Sequence, residues 1–143
     1  MKNYDLMTNW DQIRNDYNIY MVQLLQFRNS LGKFNEFESK KMLPEFIGAV
    51  KELSKKEIQG LIVDLRYNGG GLLSNAVDLS SLLIPKGDVV HTVNRYKTKT
   101  TYSVSGKPLF EKKPLILMIN EGSASASEIV AGAIKDNKRG KVV

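Results

Sequence analysis

The chain is 143 residues long, which suits one domain with a single core, and it carries a formal net charge of +6 at pH 7. It has no cysteine, which excludes disulfides and thiol catalysis, and its single histidine argues against a zinc site. The sequence contains no run of about eighteen apolar residues, so we expect no membrane span. Residues 1–7 also lack the apolar segment of a signal peptide.

Two elements are predicted in the first third of the chain. Residues 18–27 are apolar enough to be buried, and their pattern fits a strand or a helix equally well. Residues 39–56 are typical of an amphipathic helix with Ser39 as a candidate N-cap. Pro44 fits only within the first turn, so we expect this helix to begin no earlier than Lys40 or Lys41. Its predicted apolar face consists of Met42, Leu43, Phe46, Ile47, Val50 and Leu53.

A strand, a glycine-rich loop and a helix are predicted next. Residues 58–65 form an apolar run typical of a strand buried on both faces, and residues 66–71 (Arg-Tyr-Asn-Gly-Gly-Gly) follow it. Three consecutive glycines suit a flexible turn, a phosphate loop or an oxyanion hole. The phosphate loop is the weakest of these, because neither Gly-Lys-Ser/Thr nor Gly-x-Gly-x-x-Gly follows. Helical spacing over residues 72–84 is set by Leu72, Leu73, Ala76, Val77, Leu79 and Leu83.

The middle of the chain is strongly basic. Residues 86–113 contain seven Lys/Arg and two acidic residues, which gives a local charge of +5. Within them, residues 92–104 alternate and predict a two-stranded β excursion. A basic hairpin with aromatic residues could bind nucleic acid, but lysines more often protect an exposed sheet edge, so we expect no nucleic-acid partner. His91 lies in a strand-like stretch and is expected to be a surface residue.

A second strand, loop and helix follow toward the C-terminus. Residues 114–119 predict a buried strand, and after a turn of small residues a helix begins on a serine. Free backbone N–H groups at a helix N-terminus favour developing negative charge, which suits a nucleophilic serine. A Ser-x-x-Glu capping box explains the same residues without catalysis, and both interpretations stay open at this point. Residues 136–143 resemble the beginning of a further strand.

The order of these elements predicts an α/β fold with parallel strands, right-handed crossovers and a β-hairpin excursion. Both loops would then lie at carboxyl ends of strands, where open α/β sheets hold their ligands.

Two blocks in these loops resemble one family, the C-terminal processing peptidases or tail-specific proteases. The blocks are residues 64–71 (Asp-Leu-Arg-Tyr-Asn-Gly-Gly-Gly) and residues 122–128 (Gly-Ser-Ala-Ser-Ala-Ser-Glu). The resemblance covers residues 34–143, which would be a partial catalytic core, and leaves residues 1–33 poorly assigned. It implies a crotonase-like layered core. It also implies a serine endopeptidase that acts on polypeptides with a free, apolar C-terminal end, with no metal or nucleotide.

The resemblance assigns roles to particular residues. The nucleophile would be Ser125, whereas Ser123 would sit in the turn and Ser127 would be a capping or packing residue. The oxyanion hole would use backbone N–H groups of Gly71 or Gly70 and of Ala126, which are positioned to stabilise a tetrahedral oxyanion. Asp64 and Arg66 would orient the glycine loop, and the alternative for them is a strand-end ion pair. Asp136 would be a supporting residue, as in some members of the family, and the alternative for it is a solvated helical carboxylate.

The catalytic base is where the sequence departs from the family pattern. The family pairs its serine with a lysine about two dozen residues later, in a Phe-Gly-Lys motif that would fall beyond Val143. Lys135 follows Ser125 by ten positions on the same helix, about 15 Å away, and Lys138 is further. We therefore expect little or no activity from the chain as written. The alternatives are a catalytically dead remnant that binds peptides or serves assembly, and a chain whose lysine comes from a partner.

The expected cellular location also depends on the resemblance. Family members usually work outside the cytoplasm, so the lack of a signal peptide leads us to expect a truncated or rearranged front end. The sequence predicts no particular oligomeric state.

Overall fold

In the computed structural model of the protein, residues 19–23, 42–55, 58–106, 108–111 and 113–143 are described. The predicted order of helices and strands is confirmed over these ranges. In chain order the elements are β1 (Ile19–Gln23), α1 (Met42–Ser54), β2 (Gly60–Asp64), α2 (Leu73–Leu83), β3 (Asp88–Val93), β4 (Lys99–Ser103), β5 (Leu115–Met118), α3 (Ala126–Asp136) and β6 (Lys141–Val142).

The main sheet has four strands in the order β1-β2-β5-β6, and all its pairings are parallel. Residues 18–27, which fitted a strand or a helix, contain the strand β1. Its residues run from Ile19 opposite Gly60 to Gln23 opposite Asp64. Every residue of β2 is buried, as its uninterrupted apolar run predicted. Parallel pairing brings the carboxyl ends of β1, β2 and β5 to one edge of the sheet.

Helices cover the sheet and supply much of the core. The first described helical residue of α1 is Met42, and Pro44 lies in the first turn, as expected; Ser39 lies outside the described residues. Phe46 and Val50 of α1 are buried. They join a cluster that includes Leu61, Val63, Leu79, Leu83, Leu117, Val130 and Ile134. No helix in the described part of the chain is long and apolar enough to cross a membrane.

The predicted β excursion is confirmed as a separate antiparallel pair of β3 and β4. All five residues of β4 are exposed, which fits the expected solvated, lysine-bearing edge. His91 is an exposed residue of β3, and its Nδ1 lies 2.9 Å from Thr101 Oγ1. The hairpin contacts α3 near its end, where the Asn137 amide donates to the Asp88 carbonyl oxygen over 2.8 Å.

Arg139 ties this same end of the molecule together. Its Nε donates to the Leu83 carbonyl oxygen over 2.7 Å, and its Nη2 donates to the Phe110 carbonyl oxygen. Burial lowers the pKa of the Arg139 guanidinium, while the nearby Glu111 carboxylate partly opposes that shift. A cavity of about 540 Å³ lies beside these residues, lined in part by Lys86, Glu111 and Lys138. None of the residues lining it belongs to the two blocks singled out in the sequence.

Candidate active site

The two blocks meet at the carboxyl edge of the sheet. Asp64, the last residue of β2, lies opposite Met118, the last residue of β5. Beyond this pair the two loops remain hydrogen-bonded to each other, since the Tyr67 N–H donates to Asn120 Oδ1 over 2.8 Å. Ser123 Oγ donates to the Leu65 carbonyl oxygen over 2.7 Å. Residues more than fifty positions apart in sequence therefore form one continuous surface.

Ser125 is the N-cap of α3, as the Ser-x-x-Glu pattern predicted. It forms a capping box with Glu128, whose carboxylate accepts from the Ser125 backbone N–H over 2.7 Å. The backbone of Ser125 has φ 51° and ψ −114°, a conformation that residues other than glycine rarely adopt. The residue is exposed at the end of a helix whose free N–H groups face the same edge. The backbone bond from Ser125 to Glu128 therefore closes the start of α3, and Ser125 stands in a strained turn at the N-cap position.

Gly70 presses directly against this turn. It has φ +89°, and a Cβ placed on it would lie 2.5 Å from the Ala124 carbonyl oxygen and 2.7 Å from the Ala126 nitrogen. The same atom would lie 2.8 Å from Ser125 Cβ. Only glycine fits, because both the backbone angle and the space exclude a side chain. The structure thus places the glycine block and residues 124–126 in contact, as the oxyanion-hole prediction requires.

The Gly70 amide is already engaged within its own loop. It donates to Asn68 Oδ1 over 2.9 Å, so of the two glycines named as alternatives, Gly70 already has an acceptor for its N–H. Ala126 is the first residue of α3 and is fully buried against the glycine block. Its backbone N–H belongs to the first turn of the helix, where the N–H groups have no partner within the helix itself.

Asp64 and Arg66 form a tight pair at the end of β2. The Asp64 carboxylate is fully buried and accepts from Arg66 Nε over 2.9 Å and from Arg66 Nη2 over 2.7 Å. The Arg66 backbone N–H also donates to it over 3.0 Å. The hydrogen bond to Asp64 raises the pKa of the Arg66 guanidinium, and burial acts in the opposite direction. The strand-end ion pair is therefore present. The bond from the Arg66 backbone N–H to the Asp64 carboxylate also fixes Arg66, the first residue of the glycine-rich loop.

Asn68 and Ser127 are the residues that sequence reasoning undervalued. Ser127 is fully buried, which confirms its prediction as a packing residue, and its Oγ donates to Asn68 over 3.0 Å. Asn68, which is 2% exposed, also accepts at its backbone oxygen from the Ala124 N–H over 3.0 Å. Asn120 was missed as well, although its Oδ1 accepts from both Tyr67 and Gly122 N–H groups. For Asn68, the signal in the sequence was its place directly before three glycines at the end of a buried strand.

Four residues that were weighed for a role at the site lie elsewhere. Asp136 is the exposed last residue of α3, ten residues beyond Ala126 and about 15 Å along the helix from the site. The structure does not bring it to Ser125 and favours its alternative, a solvated helical carboxylate. Lys135 lies in the same last turn and Lys138 just beyond it. Neither of these amines reaches Ser125, as expected, and His91 lies on the hairpin.

A serine on a strained N-cap, with a glycine loop packed against it at the carboxyl edge of a parallel sheet, is typical of a serine hydrolase. The sequence profile of Peptidase family S41 matches residues 19–143, and the chain belongs to this family.

Individual relatives agree with that assignment. The chain is 42% identical over 94 residues to "C-terminal processing peptidase, chloroplastic" of Tetradesmus obliquus, which covers 66% of the chain and 20% of the relative. It is 40% identical over 99 residues to "Carboxyl-terminal-processing protease" of Synechocystis sp., and this match covers 69% of the chain and 23% of the relative. The solved structure of a photosystem II D1 C-terminal processing protease superposes with a TM-score of 0.67 at 38% identity, over 74% of the chain and 27% of that structure. The chain therefore spans about a fifth to a quarter of the length of these relatives.

Proposed function

We propose that the chain is the core of a serine endopeptidase that cleaves polypeptides near or from their C-terminal ends through an acyl-enzyme on Ser125. The observation that carries this proposal is the Ser125 turn. An exposed hydroxyl stands on a strained N-cap, and the glycine block is held against it. Strain of this kind persists only where surrounding structure enforces it, and it concentrates at functional sites. The names of the relatives support the choice of a peptidase that processes C-terminal ends.

The chemistry assigns one role to each group. Ser125 Oγ attacks the scissile carbonyl carbon and loses its proton to a base, which gives a tetrahedral oxyanion. The backbone N–H groups of Gly71 and Ala126 stabilise this oxyanion, since the Gly70 amide is already bonded to Asn68. Collapse breaks the C–N bond, the amine leaves with a proton, and water then hydrolyses the acyl ester. Asp64 and Arg66 orient the loop that carries the glycines.

The base in this proposal is the lysine of the family pattern. β6 runs parallel to β5, and the Val143 N–H donates to the Leu117 carbonyl oxygen over 2.9 Å. The carboxyl end of β6 thus points toward the edge that holds Ser125, which suits a lysine arriving from that direction. A polypeptide of residues 1–143 alone is expected to acylate slowly, because the hydroxyl would stay protonated. Sequencing the gene downstream of the Val143 codon tests whether a Phe-Gly-Lys segment continues the frame.

The substrate in this proposal is a polypeptide with a free, apolar C-terminal end. Tyr67 lies within the glycine block (residues 64–71) and Leu72 directly follows it. They are 56% and 46% exposed, so they offer apolar surface on the loop that packs against the Ser125 turn. The proposal involves no nucleic acid and no metal. The crotonase-like layering also remains our proposal, supported by the parallel sheet and the helices packed on it. Residues 34–143 remain the proposed partial catalytic core, and the pairing of β1 with β2 adds residues 19–23 to the same sheet.

The second candidate is a catalytically inactive module that binds peptides or serves assembly. It is favoured by the position of Lys135 and Lys138 at the opposite end of α3 from Ser125. In that case the glycine block and the exposed apolar residues would retain a peptide without cleaving it.

A fluorophosphonate probe tests the proposal, because it reacts covalently with activated serines. We expect the 143-residue chain to be labelled slowly on Ser125, with tandem mass spectrometry separating this residue from Ser123 and Ser127. Ser125→Ala should abolish labelling, and Ser74→Ala, an exposed position in α2, should leave it unchanged. Labelling that persists in Ser125→Ala would refute the assignment. A folded chain that is never labelled but retains a peptide with an apolar C-terminus would favour the second candidate.

A further inference from the structure

We propose that Asn68 and Ser127 are positioning residues, which set where the oxyanion donors lie relative to Ser125. The inference rests on the proposed function of the site, and it concerns hydrogen bonds that the catalytic assignment leaves unused. Asn68 belongs to the glycine block, and Ser127 lies one residue beyond Ala126 in α3. Both are buried.

Asn68 holds the nucleophile turn on both sides of Ser125. On the N-terminal side, its backbone oxygen accepts from the Ala124 N–H over 3.0 Å. On the C-terminal side, the Ser127 hydroxyl lies 3.0 Å from both the backbone oxygen and the side-chain oxygen of Asn68. Ser125 is thereby fixed at two points against a single residue of the glycine block.

The same side chain also orients the glycines. Asn68 Oδ1 accepts from the Gly70 N–H over 2.9 Å, so one oxygen joins the glycine block to the first turn of α3. Gly70 in turn packs against Ser125, with 2.8 Å between Ser125 Cβ and the position of a Gly70 Cβ. A short closed path therefore runs from Ser125 along α3 to Ser127, across to Asn68, and back through Gly70. Ser125, the proposed nucleophile, and Ala126 both lie on this path, and Gly71 is the residue after Gly70.

Removal of the Ser127 hydroxyl opens this path while leaving the backbone bond from Ala124 to Asn68 in place. The glycine block can then shift relative to Ser125 by a fraction of an ångström. Catalytic groups are sensitive to such shifts, and a misplacement of about 1 Å can cost about a hundredfold in rate. The effect should appear in the reaction step more than in binding, because Ser127 is buried and does not face the substrate.

Ser123 offers a matched comparison. It stands two residues before Ser125, as Ser127 stands two residues after it. Its hydroxyl also joins the two loops, since it donates to the Leu65 carbonyl oxygen over 2.7 Å. Within its own loop, the same hydroxyl accepts from the Asn120 N–H over 3.0 Å. Neither bond involves Asn68 or a glycine. Ser123→Ala therefore removes a comparable bond between the loops without opening the closed path.

The test compares Ser127→Ala and Ser123→Ala in the 143-residue chain with the same fluorophosphonate probe. We measure kinact and KI for Ser125, at a temperature where thermal melts show each variant fully folded. We expect kinact to fall at least tenfold in Ser127→Ala with KI nearly unchanged, and to fall less than threefold in Ser123→Ala. Asn68→Ala should behave like Ser127→Ala. Equal losses in Ser127→Ala and Ser123→Ala would overturn the proposal.

A second readout needs no reaction at all. In ¹⁵N-labelled chains, the amide resonances of Gly70 and Gly71, which are distant from both serines in sequence, should move in Ser127→Ala and stay in place in Ser123→Ala. If both variants move them equally, the proposal is wrong. If the wild-type chain is never labelled by the probe, the peptidase assignment fails for this chain, and the amide comparison still decides whether Asn68 and Ser127 position the glycine block.

Discussion

Replacing Ser125 by glycine should make the protein more stable while abolishing its reaction with the probe. The strained backbone at φ 51° and ψ −114° costs about 1–3 kcal/mol for a residue with a side chain, and glycine removes that cost. Two smaller effects oppose this gain. Glycine raises the entropy of the unfolded chain, which costs about 0.5–1 kcal/mol, and it weakens the cap by a few tenths of a kcal/mol. The expected net gain in the free energy of unfolding is about 1 kcal/mol.

Alanine at the same position should have the opposite effect. It keeps the strained backbone and loses the N-cap oxygen, so we expect a loss of about 1 kcal/mol. The two variants should therefore differ by about 2 kcal/mol, or about 6 °C in Tm for a chain of this length.

Thermal and urea denaturation followed by circular dichroism would measure this difference in the 143-residue chain. Ser74 is the matched control, because it is an exposed serine within α2 and has ordinary helical geometry. There the order should reverse, with alanine more stable than glycine by about 0.5–1 kcal/mol. A Ser125→Gly variant no more stable than Ser125→Ala would refute the argument that the turn is strained.

Substitutions at four further positions test packing and polar burial in the fold. Gly70→Ala should destabilise the chain by about 3 kcal/mol and abolish labelling, because the new Cβ would overlap the backbone of Ala124 and Ala126. Gly132→Ala is the control: nothing lies within 4 Å of its Cβ, so it should stabilise α3 by about 1 kcal/mol. Similar effects at both positions would contradict this. Ser80→Ala should raise stability by about 1 kcal/mol, since the buried Ser80 hydroxyl has no hydrogen-bond partner in the described part of the chain; a loss of stability in urea denaturation would show that a partner exists. Arg66→Ala should lower the free energy of unfolding by about 3 kcal/mol, because it leaves the buried Asp64 carboxylate without its guanidinium partner, and Arg66→Lys should recover only part of that loss. An unchanged midpoint of urea denaturation in Arg66→Ala would show that the ion pair does not stabilise the fold.

Much of the fold could be predicted because its signals are local. The apolar spacing of residues 72–84 placed α2 within one residue at each end, and the Ser-x-x-Glu pattern placed the start of α3 on Ser125. The candidate site was also predictable in part, because both loops follow buried strands and parallel strands bring their carboxyl ends together. The distance of Asp136 from Ser125 follows from helical rise, whereas the sequence left its supporting role and a solvated carboxylate both open.

Other features depend on partners far away in the sequence. Residues 18–27 gave no decision between helix and strand, and pairing with β2 decided it. The strain at Ser125 and the close approach of Gly70 exist only because the two loops are packed together, so neither can be read from its own segment.

By itself, then, the sequence determined the order of the elements, the parallel sheet, and the serine and glycines at its carboxyl edge. The tertiary structure alone decided that Gly70 has its N–H engaged, and that Asn68 and Ser127, 59 residues apart, share a hydrogen bond. The physical reason is range. Helix caps and apolar periodicity arise from neighbours within a few residues, whereas a hydrogen bond between two loops depends on the register of the strands that carry them.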